Sequence, residues 1–407
     1  MFLLIIQSAG RWLQLCRSGL RLKGGMEGRF WRRLLVILLL IPTSAVVLLT
    51  HWICLLFDEL LFHRYRKVSI KAPVFVTGVP RSGTTFLHRV LASDPQFTTF
   101  STWECLFAPS IVQKKIILAI GALDARFGGV LKRVVDKITA TVTQDLSDIH
   151  ATRLDAPEED YFVFMPLLLC FILVVVFPGS EIIWRMGFFD RAMSAAEKRR
   201  LMSYYRACLQ KHLYVYGEEK TLLSKNASFA SLVQSLTDEF SDARFIYCLR
   251  DPQETLPSQL SSLRGAMLAC GNDPDSPQFR DRMVELLSFQ YENLLETVSR
   301  AKPGTRQSVI NMDVLKNDLL CAMDTIYQQL ALTATPAFQT TLTVEARQAS
   351  RFRSQHSYSA RQFGYDEQTI KRRFSHVYSH PDFQQSQATG KSPRTAARRQ
   401  LAGGSRC

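Results

Sequence analysis

An α/β fold, a parallel sheet of the P-loop type with helices on both faces, is the architecture this sequence predicts, preceded by a transmembrane or membrane-anchoring helix. Three observations predict it. Residues 74–77 form a short β-rich run that enters the loop Gly78-Val79-Pro80-Arg81-Ser82-Gly83-Thr84-Thr85, and helix-compatible residues follow over 86–91. Further along, β-rich runs alternate with helical patterns, as expected for parallel strands joined by crossover helices. Upstream, residues 34–57 run 24 positions without a formal charge. At about 1.5 Å per residue, that length crosses a ~30 Å hydrocarbon core.

The elements follow in order. Residues 1–33 carry seven Lys/Arg and one Glu. They read as a basic N-terminal segment; residues 1–25 suit an amphipathic extension, or a stretch upstream of a start at Met26. Within 34–57, Pro42 predicts a kink, and His51 and Trp52 suit an interface. Arg29, Arg32 and Arg33 precede the run, and Arg64, Arg66 and Lys67 follow it. The expected address is therefore a membrane, in single-pass form. A catalytic domain is expected over 68–380. Its first helix closes at Asp94-Pro95, and 114–138 has helical spacing. Residues 161–177 are apolar on all sides, which predicts a helix buried in the core or touching lipid. Ser194 and Glu197 form a capping-box pattern at the start of a helix over 194–216. Strands are expected at 221–224, 245–249 and 308–313, with helices from 254, over 282–298 and over 315–330. Residues 381–407 read as a disordered basic tail.

The loop after the first strand carries chemistry. A helix N-terminus offers unpaired N–H groups and a favourable dipole to an anion. Gly78 and Gly83 keep the glycine spacing of a Walker A loop, but Thr84 stands where that loop has Lys. That Lys reaches the β- and γ-phosphates of a nucleoside triphosphate. Its replacement argues against a nucleotide kinase or phosphohydrolase, the alternative reading, and Arg81 supplies a cation within the loop instead. A second segment, residues 244–262, places Arg250 at a strand's end and Ser258 eight positions on, where a helix folds back towards it. An Arg and a hydroxyl converging there suit a second phosphate.

Composition narrows the partners. The net charge of +14 invites a nucleic-acid reading, but the two ends carry most of it. No helix–turn–helix, zinc pattern or aromatic basic stripe is seen, so nucleic acid is not expected. The nine cysteines are scattered without a Cys-x-x-Cys pair, so no metal site is expected. The sequon Asn226-Ala-Ser228 falls inside a candidate site segment, a poor place for a glycan.

On these two motifs, in this order, the chain resembles the sulfotransferases that use 3′-phosphoadenylyl sulfate (PAPS). It looks closest to the branch with a Pro-Arg-Ser-Gly-Thr-Thr loop, which includes tyrosine sulfotransferases and bacterial and membrane-linked enzymes. The resemblance covers about residues 73–378. It implies that Arg81, Ser82, Gly83, Thr84 and Thr85 hold the 5′-phosphosulfate and that Arg250 and Ser258 hold the 3′-phosphate. It implies a base at Glu104, with His150 as runner-up, and Lys225 at the bridging oxygen of the donor. Where many relatives have a His shortly after that Lys, this chain has Ser228 and Phe229, which leaves a catalytically inactive nucleotide-binding relative as a further alternative. Glu158 and Glu159 read as capping or pairing residues, with a role at the acceptor as the second possibility. Arg351, Arg353, His356, Tyr358 and the run Phe363-Gly364-Tyr365 resemble the branch's C-terminal segment. The resemblance implies sulfuryl transfer to a hydroxyl or amine of an unidentified acceptor, a lipid or glycan among the candidates, without a metal.

Overall fold

The computed structural model describes residues 1–20, 27–142, 153–351 and 360–391. Five strands make one sheet: β1 (Val74–Gly78), β2 (Phe97–Thr98), β3 (Thr221–Asn226), β4 (Arg244–Leu249) and β5 (Gln307–Asn311), in the order β2-β3-β1-β4-β5. All neighbours are parallel. Side chains alternate along each strand, so β1 feeds two cores. Val74 and Val76 join Leu223, Ile246 and Ile310 on one face. Phe75 joins Phe245, Tyr247 and Tyr205 on the other. Every β1 residue is buried, which explains why a central parallel strand reads as a continuous apolar run. β1 lies between β3 and β4, so chain connections leave it in both directions and open a crevice at the carboxyl ends of the strands.

Several boundaries differ from expectation, each for a local reason. The helical stretch 114–138 is two helices, α5 (Ile111–Arg126) and α6 (Val130–Val142), because Gly128 and Gly129 both take positive φ, +82° and +69°. Residues 315–330 fall in two helices, Met312–Asn317 and Leu319–Gln329; Asp318 interrupts them and caps the second by accepting from the Cys321 amide. The apolar run 161–177 is not an α-helix. It forms two 3₁₀ segments, Asp160–Leu167 and Phe171–Val175, joined where Leu168 takes a left-handed conformation, and most of its side chains are in the core. Pro166 lies in the first of them and cannot donate to a helical ladder.

Both chain ends are more structured than their composition suggests. Helix α1 (Phe2–Leu20) packs against helix α2 (Glu27–Leu61), where the Trp12 indole donates to Ser44 Oγ at 3.0 Å. α2 contains the expected run 34–57 and continues through Pro42 as one helix. It is the one described helix long and apolar enough to cross a membrane, by length and composition. At the other end, residues expected in a disordered tail include the helix Pro381–Lys391. Phe383 there is buried, in edge contact with Tyr291 and Tyr378, so the folded domain extends at least through this helix.

Candidate active site

The crevice begins at the loop after β1. Ser82 Oγ donates to the Val79 carbonyl at 2.6 Å and closes the turn on itself. Gly83 takes φ +90° and caps helix α3 (Thr84–Leu91), a conformation in which any other residue is strained. Gly78 answers a different demand: a Cβ there would lie 2.2 Å from the Cys248 carbonyl oxygen of β4. The loop therefore crosses closely over the end of β4 and leads to the first amides of α3. Arg81 also takes positive φ, +67°, and is the loop's one non-glycine residue to do so. Thr84 is buried and Thr85 is exposed at the helix start.

The second motif comes to meet the first. Arg250 ends β4, and its Nη1 donates to the Arg81 carbonyl at 3.0 Å. Arg81 Nε donates to Ser258 Oγ at 3.1 Å. Arg250 is also paired with Glu254 at 2.7 Å. Its backbone is fixed by Tyr291, whose hydroxyl donates to the Arg250 carbonyl at 2.6 Å. Asp251 caps the following helix by accepting from the Gln253 amide, and accepts from the Tyr378 hydroxyl at 2.6 Å. Two cations and a hydroxyl, some 170 positions apart in sequence, thus line one edge of the loop. The arrangement fits a nucleotide carrying phosphates at two positions.

Across the crevice lies a carboxylate web. Lys225, in register with Val76 of β1, is 2% exposed and ion-paired with Glu159. Asn226 Nδ2 donates to the other Glu159 oxygen at 2.9 Å. Asn226 is itself buried. His88 lies nearby, hydrogen-bonded to Thr99 at 2.7 Å. Burial, with Lys225 beside it, pushes its imidazole well below the ordinary value, so it is neutral near pH 7. Asp160 is wholly buried. It accepts from the Tyr205 hydroxyl, while its Oδ1 has no partner. Burial raises its carboxyl to about 7, against the opposing hydrogen bonds of Tyr205 and Ser224.

The expectation that Glu104 is the base meets a geometric obstacle. Glu104 sits in helix α4 (Thr102–Phe107) and is 2% exposed. Its Oε1 is held by Lys114 and by His212 Nδ1, the latter at 3.0 Å; its Oε2 accepts from the Ser101 amide and hydroxyl, both at 3.0 Å. Burial alone would raise this carboxyl, but Lys114 and His212 outweigh it and hold the group well below the usual carboxylate range. In this structure both of its oxygens are therefore occupied by donors. The carboxylate beside Lys225 is Glu159, which retains 21% side-chain exposure. Glu104 stands one layer behind: Cys105 Sγ contacts the Glu159 carbonyl at 3.6 Å, and Thr102 bonds Glu158 at 3.2 Å. His150, Arg353, His356 and Tyr358 lie outside the described residues. Phe363-Gly364-Tyr365 packs beside Arg280, which donates to the Phe363 carbonyl at 2.9 Å. Lys114 and His212 carried no signal in the sequence, since each sits in a short polar run of a helix, Gln113-Lys114-Lys115 and Gln210-Lys211-His212.

A parallel sheet with a glycine-bounded loop at its switch point, and an arginine just past the end of the neighbouring strand, defines an α/β fold with a crevice at the carboxyl ends of its strands. The profile of the sulfotransferase family matches residues 73–336, more than half of the chain, and the chain belongs to that family. Two curated relatives, omega-hydroxy-beta-dihydromenaquinone-9 sulfotransferases Stf3 of Mycobacterium bovis and Mycobacterium tuberculosis, are each 27% identical over 282 residues, covering 68% of this chain and 68% of their own length. Among solved structures, sulfotransferase STF9 from Mycobacterium avium has a TM-score of 0.67 at 15% identity, covering 92% of this chain and 94% of its own. STF1 from Mycobacterium tuberculosis has 0.61 at 19%, covering 78% and 80%. At those identities the likeness speaks to the fold. The protein is a sulfotransferase.

Proposed function

We propose that the enzyme transfers a sulfuryl group from PAPS to a hydroxyl of a lipid-like acceptor at a membrane. The observation that carries the donor is the meeting of Arg81, Arg250 and Ser258 at the rim of the β1–α3 loop. In this reading the first amides of α3, with Arg81 and Thr85, receive the 5′-phosphosulfate. Arg250 and Ser258 receive the 3′-phosphate. Because Arg81 touches both Ser258 and Arg250, one nucleotide with two anionic ends can reach both motifs from the same rim.

The acceptor oxygen attacks sulfur, a new S–O bond forms, and the bond from sulfur to the phosphate oxygen breaks. Negative charge grows on the departing phosphate, where Lys225, Arg81 and the helix N-terminus stabilise it. The acceptor proton goes to a carboxylate, which we assign to Glu159 rather than Glu104. When Lys225 turns to the donor, one oxygen of Glu159 loses its partner and becomes able to take that proton. Glu104 then acts through the fold: with Lys114 and His212 it fixes α4, against which the Glu158–Asp160 segment rests.

The lipid-like acceptor is supported by the menaquinone derivative for which the two Stf3 relatives are named and by the apolar helix α2. Membrane association is part of this reading. The test has two arms. 3′-Phosphoadenosine 5′-phosphate should raise the melting temperature of the protein, and ATP with magnesium should not; the reverse would overturn the donor assignment. Donor labelled in the sulfuryl group, incubated with enzyme and membrane extracts, should label an organic-soluble product. Label confined to water-soluble sugars or protein would overturn the acceptor class.

A further inference from the structure

The helix α2 is not a free stalk. A stripe of its residues, Ile37, Leu48, His51, Leu55 and Asp58, is buried against the rest of the chain. The span from Ile37 to Asp58 covers roughly 32 Å at 1.5 Å per residue, as much as the whole hydrocarbon core. Polar groups fasten it. Asp58 is ion-paired with Lys211 at 2.9 Å, both fully buried. His51 is hydrogen-bonded to Gln113, and the Trp52 indole donates to the Pro166 carbonyl at 2.8 Å. A helix held to the catalytic domain at both ends, by Arg32 and Arg33 on Leu268 and Asn272 and by Asp58 on Lys211, cannot cross a bilayer without drawing that domain in with it.

The opposite face of α2 is apolar and open. Leu39, Val46, Ile53 and Leu60 recur every seven residues and are 44–73% exposed. A second open face adjoins it. Asp58 accepts from the amides of Ile111 and Val112, at 2.9 and 3.0 Å, and so caps the N-terminus of α5. The α5–α6 hairpin is thereby rooted on α2, and beyond Lys114 it is almost wholly solvent-exposed. Along it Ile120, Phe127, Val134 and Ile138 are 47–74% exposed. Exposed apolar residues scattered singly need no explanation, but contiguous faces on two adjoining elements do.

Charge identifies the occupant. The hairpin exposes Lys115, Arg126, Lys132, Arg133 and Lys137. Its two acids are used internally: Asp124 accepts from the Leu131 and Lys132 amides, and Asp136 pairs with Lys132 at 2.8 Å. Apolar faces bordered by unbalanced cations suit an anionic lipid leaflet. We propose that α2 and the α5–α6 hairpin lie in the plane of such a leaflet, so that the enzyme is embedded in one face of the membrane and does not span it. The hairpin is inserted between two walls of the site. It leaves from just beyond α4, and the chain returns where the Trp103 and Thr102 amides donate to the Leu154 and Ala156 carbonyls, beside Glu158 and Glu159. The docked surface therefore places the rim of the crevice at the lipid boundary.

The experiment uses the full chain and reads no catalysis, so it stands or falls apart from the donor and acceptor assignments. The protein is mixed with vesicles of phosphatidylcholine, with and without a minority of phosphatidylglycerol, and floated on a density gradient. It should float with the anionic vesicles. The double variant Ile120→Glu/Val134→Glu should bind them at least about tenfold more weakly, with melting temperature and 3′-phosphoadenosine 5′-phosphate binding unchanged. Undiminished flotation of that folded variant would overturn the role of the hairpin. Separately, inverted membrane vesicles from cells expressing the chain with a tag at each end are treated with external protease. In-plane docking predicts loss of both tags. Protection of one tag and loss of the other means that α2 spans, which overturns the proposal. A lipid-independent dimer that hides the hairpin and fails to float would also overturn it.

Discussion

The two sides of the crevice are built on different physics. The donor side is assembled from backbone: a glycine that lets one strand end pass over another, a glycine in left-handed conformation, a helix N-terminus, and two arginines at its rim. The opposite side is assembled from side chains of five separate segments, in which Glu104 is paired with Lys114 and His212, and Glu159 with Lys225. Backbone cradles are written in contiguous residues and tolerate an exposed cation. Buried charge webs tolerate no unpaired member, because each ion left alone keeps its desolvation cost. Substitutions on the donor side should change affinity and leave the fold intact. Substitutions on the carboxylate side should divide sharply between those that unfold the protein and those that stop the chemistry.

That division is the comparison's most severe test. Glu159→Gln should lower turnover by roughly 10²–10⁴, as loss of a general base does, while donor binding persists and the stability lost with the Lys225 counter-charge stays below that of Glu104→Gln, because Glu159 is partly exposed to water. Glu104→Gln should leave Lys114 buried without its counter-charge and cost about 3–5 kcal/mol of stability. Kinetics and thermal unfolding on the two variants check this. A stable Glu104→Gln enzyme with turnover down by a similar factor would return the base to Glu104.

On the donor side, Arg250→Ala and Arg81→Ala should each remove a charge-assisted phosphate contact, costing roughly 1.5–3 kcal/mol, or about 10- to 150-fold in donor affinity. The two differ in kind. Arg250→Ala should erase the preference for the 3′-phosphorylated nucleotide over its dephosphorylated form, whereas Arg81→Ala should weaken both. Calorimetry with the two nucleotides separates them, and equal losses on each would merge the two phosphate sites into one.

A smaller effect distinguishes the two sides through pH. The folded-state carboxyl of Asp160 is raised to about 7, above its ordinary value in the unfolded chain. A raised carboxyl binds its proton more tightly in the folded state. Its contribution to stability is therefore fully present below about pH 4 and is lost as pH rises towards 7. Asp160→Asn should flatten that part of the stability curve, so that the variant gains on the wild type between pH 5 and pH 8. Denaturant midpoints across this range give the readout. Parallel curves for the two proteins would mean that Asp160 keeps its charge when folded.

How much of this was legible in the sequence depends on how far apart the interacting residues are. The donor loop could be read because Gly78, Arg81, Gly83 and the start of α3 are neighbours in the chain. That Arg250 and Ser258 lie on one side of the site could be read because a helix turns Ser258 back within eight positions; that both meet Arg81 could not. The strand alternation gave the sheet, although Gly128-Gly129 and Asp318 broke helices that periodicity alone would join. Nothing in the sequence marked Lys114 or His212, because a charged residue in an amphipathic helix usually faces water, and only packing from three segments turned these two inward. For the same reason Glu104 was legible as a carboxylate near the site but not as one already satisfied on both oxygens. The apolar character of 34–57 was plain from composition. That one face of this helix is fastened to the domain by Asp58 and Trp52 was not, because Lys211 and Pro166 lie more than a hundred positions away. Sequence determined what short-range geometry and contiguous chemistry dictate: the family, the sheet, the anion loop and the presence of an apolar helix. Tertiary structure alone decided which charges are spent on one another and which still face the substrate, since burial and pairing depend on segments that meet only after the chain has folded.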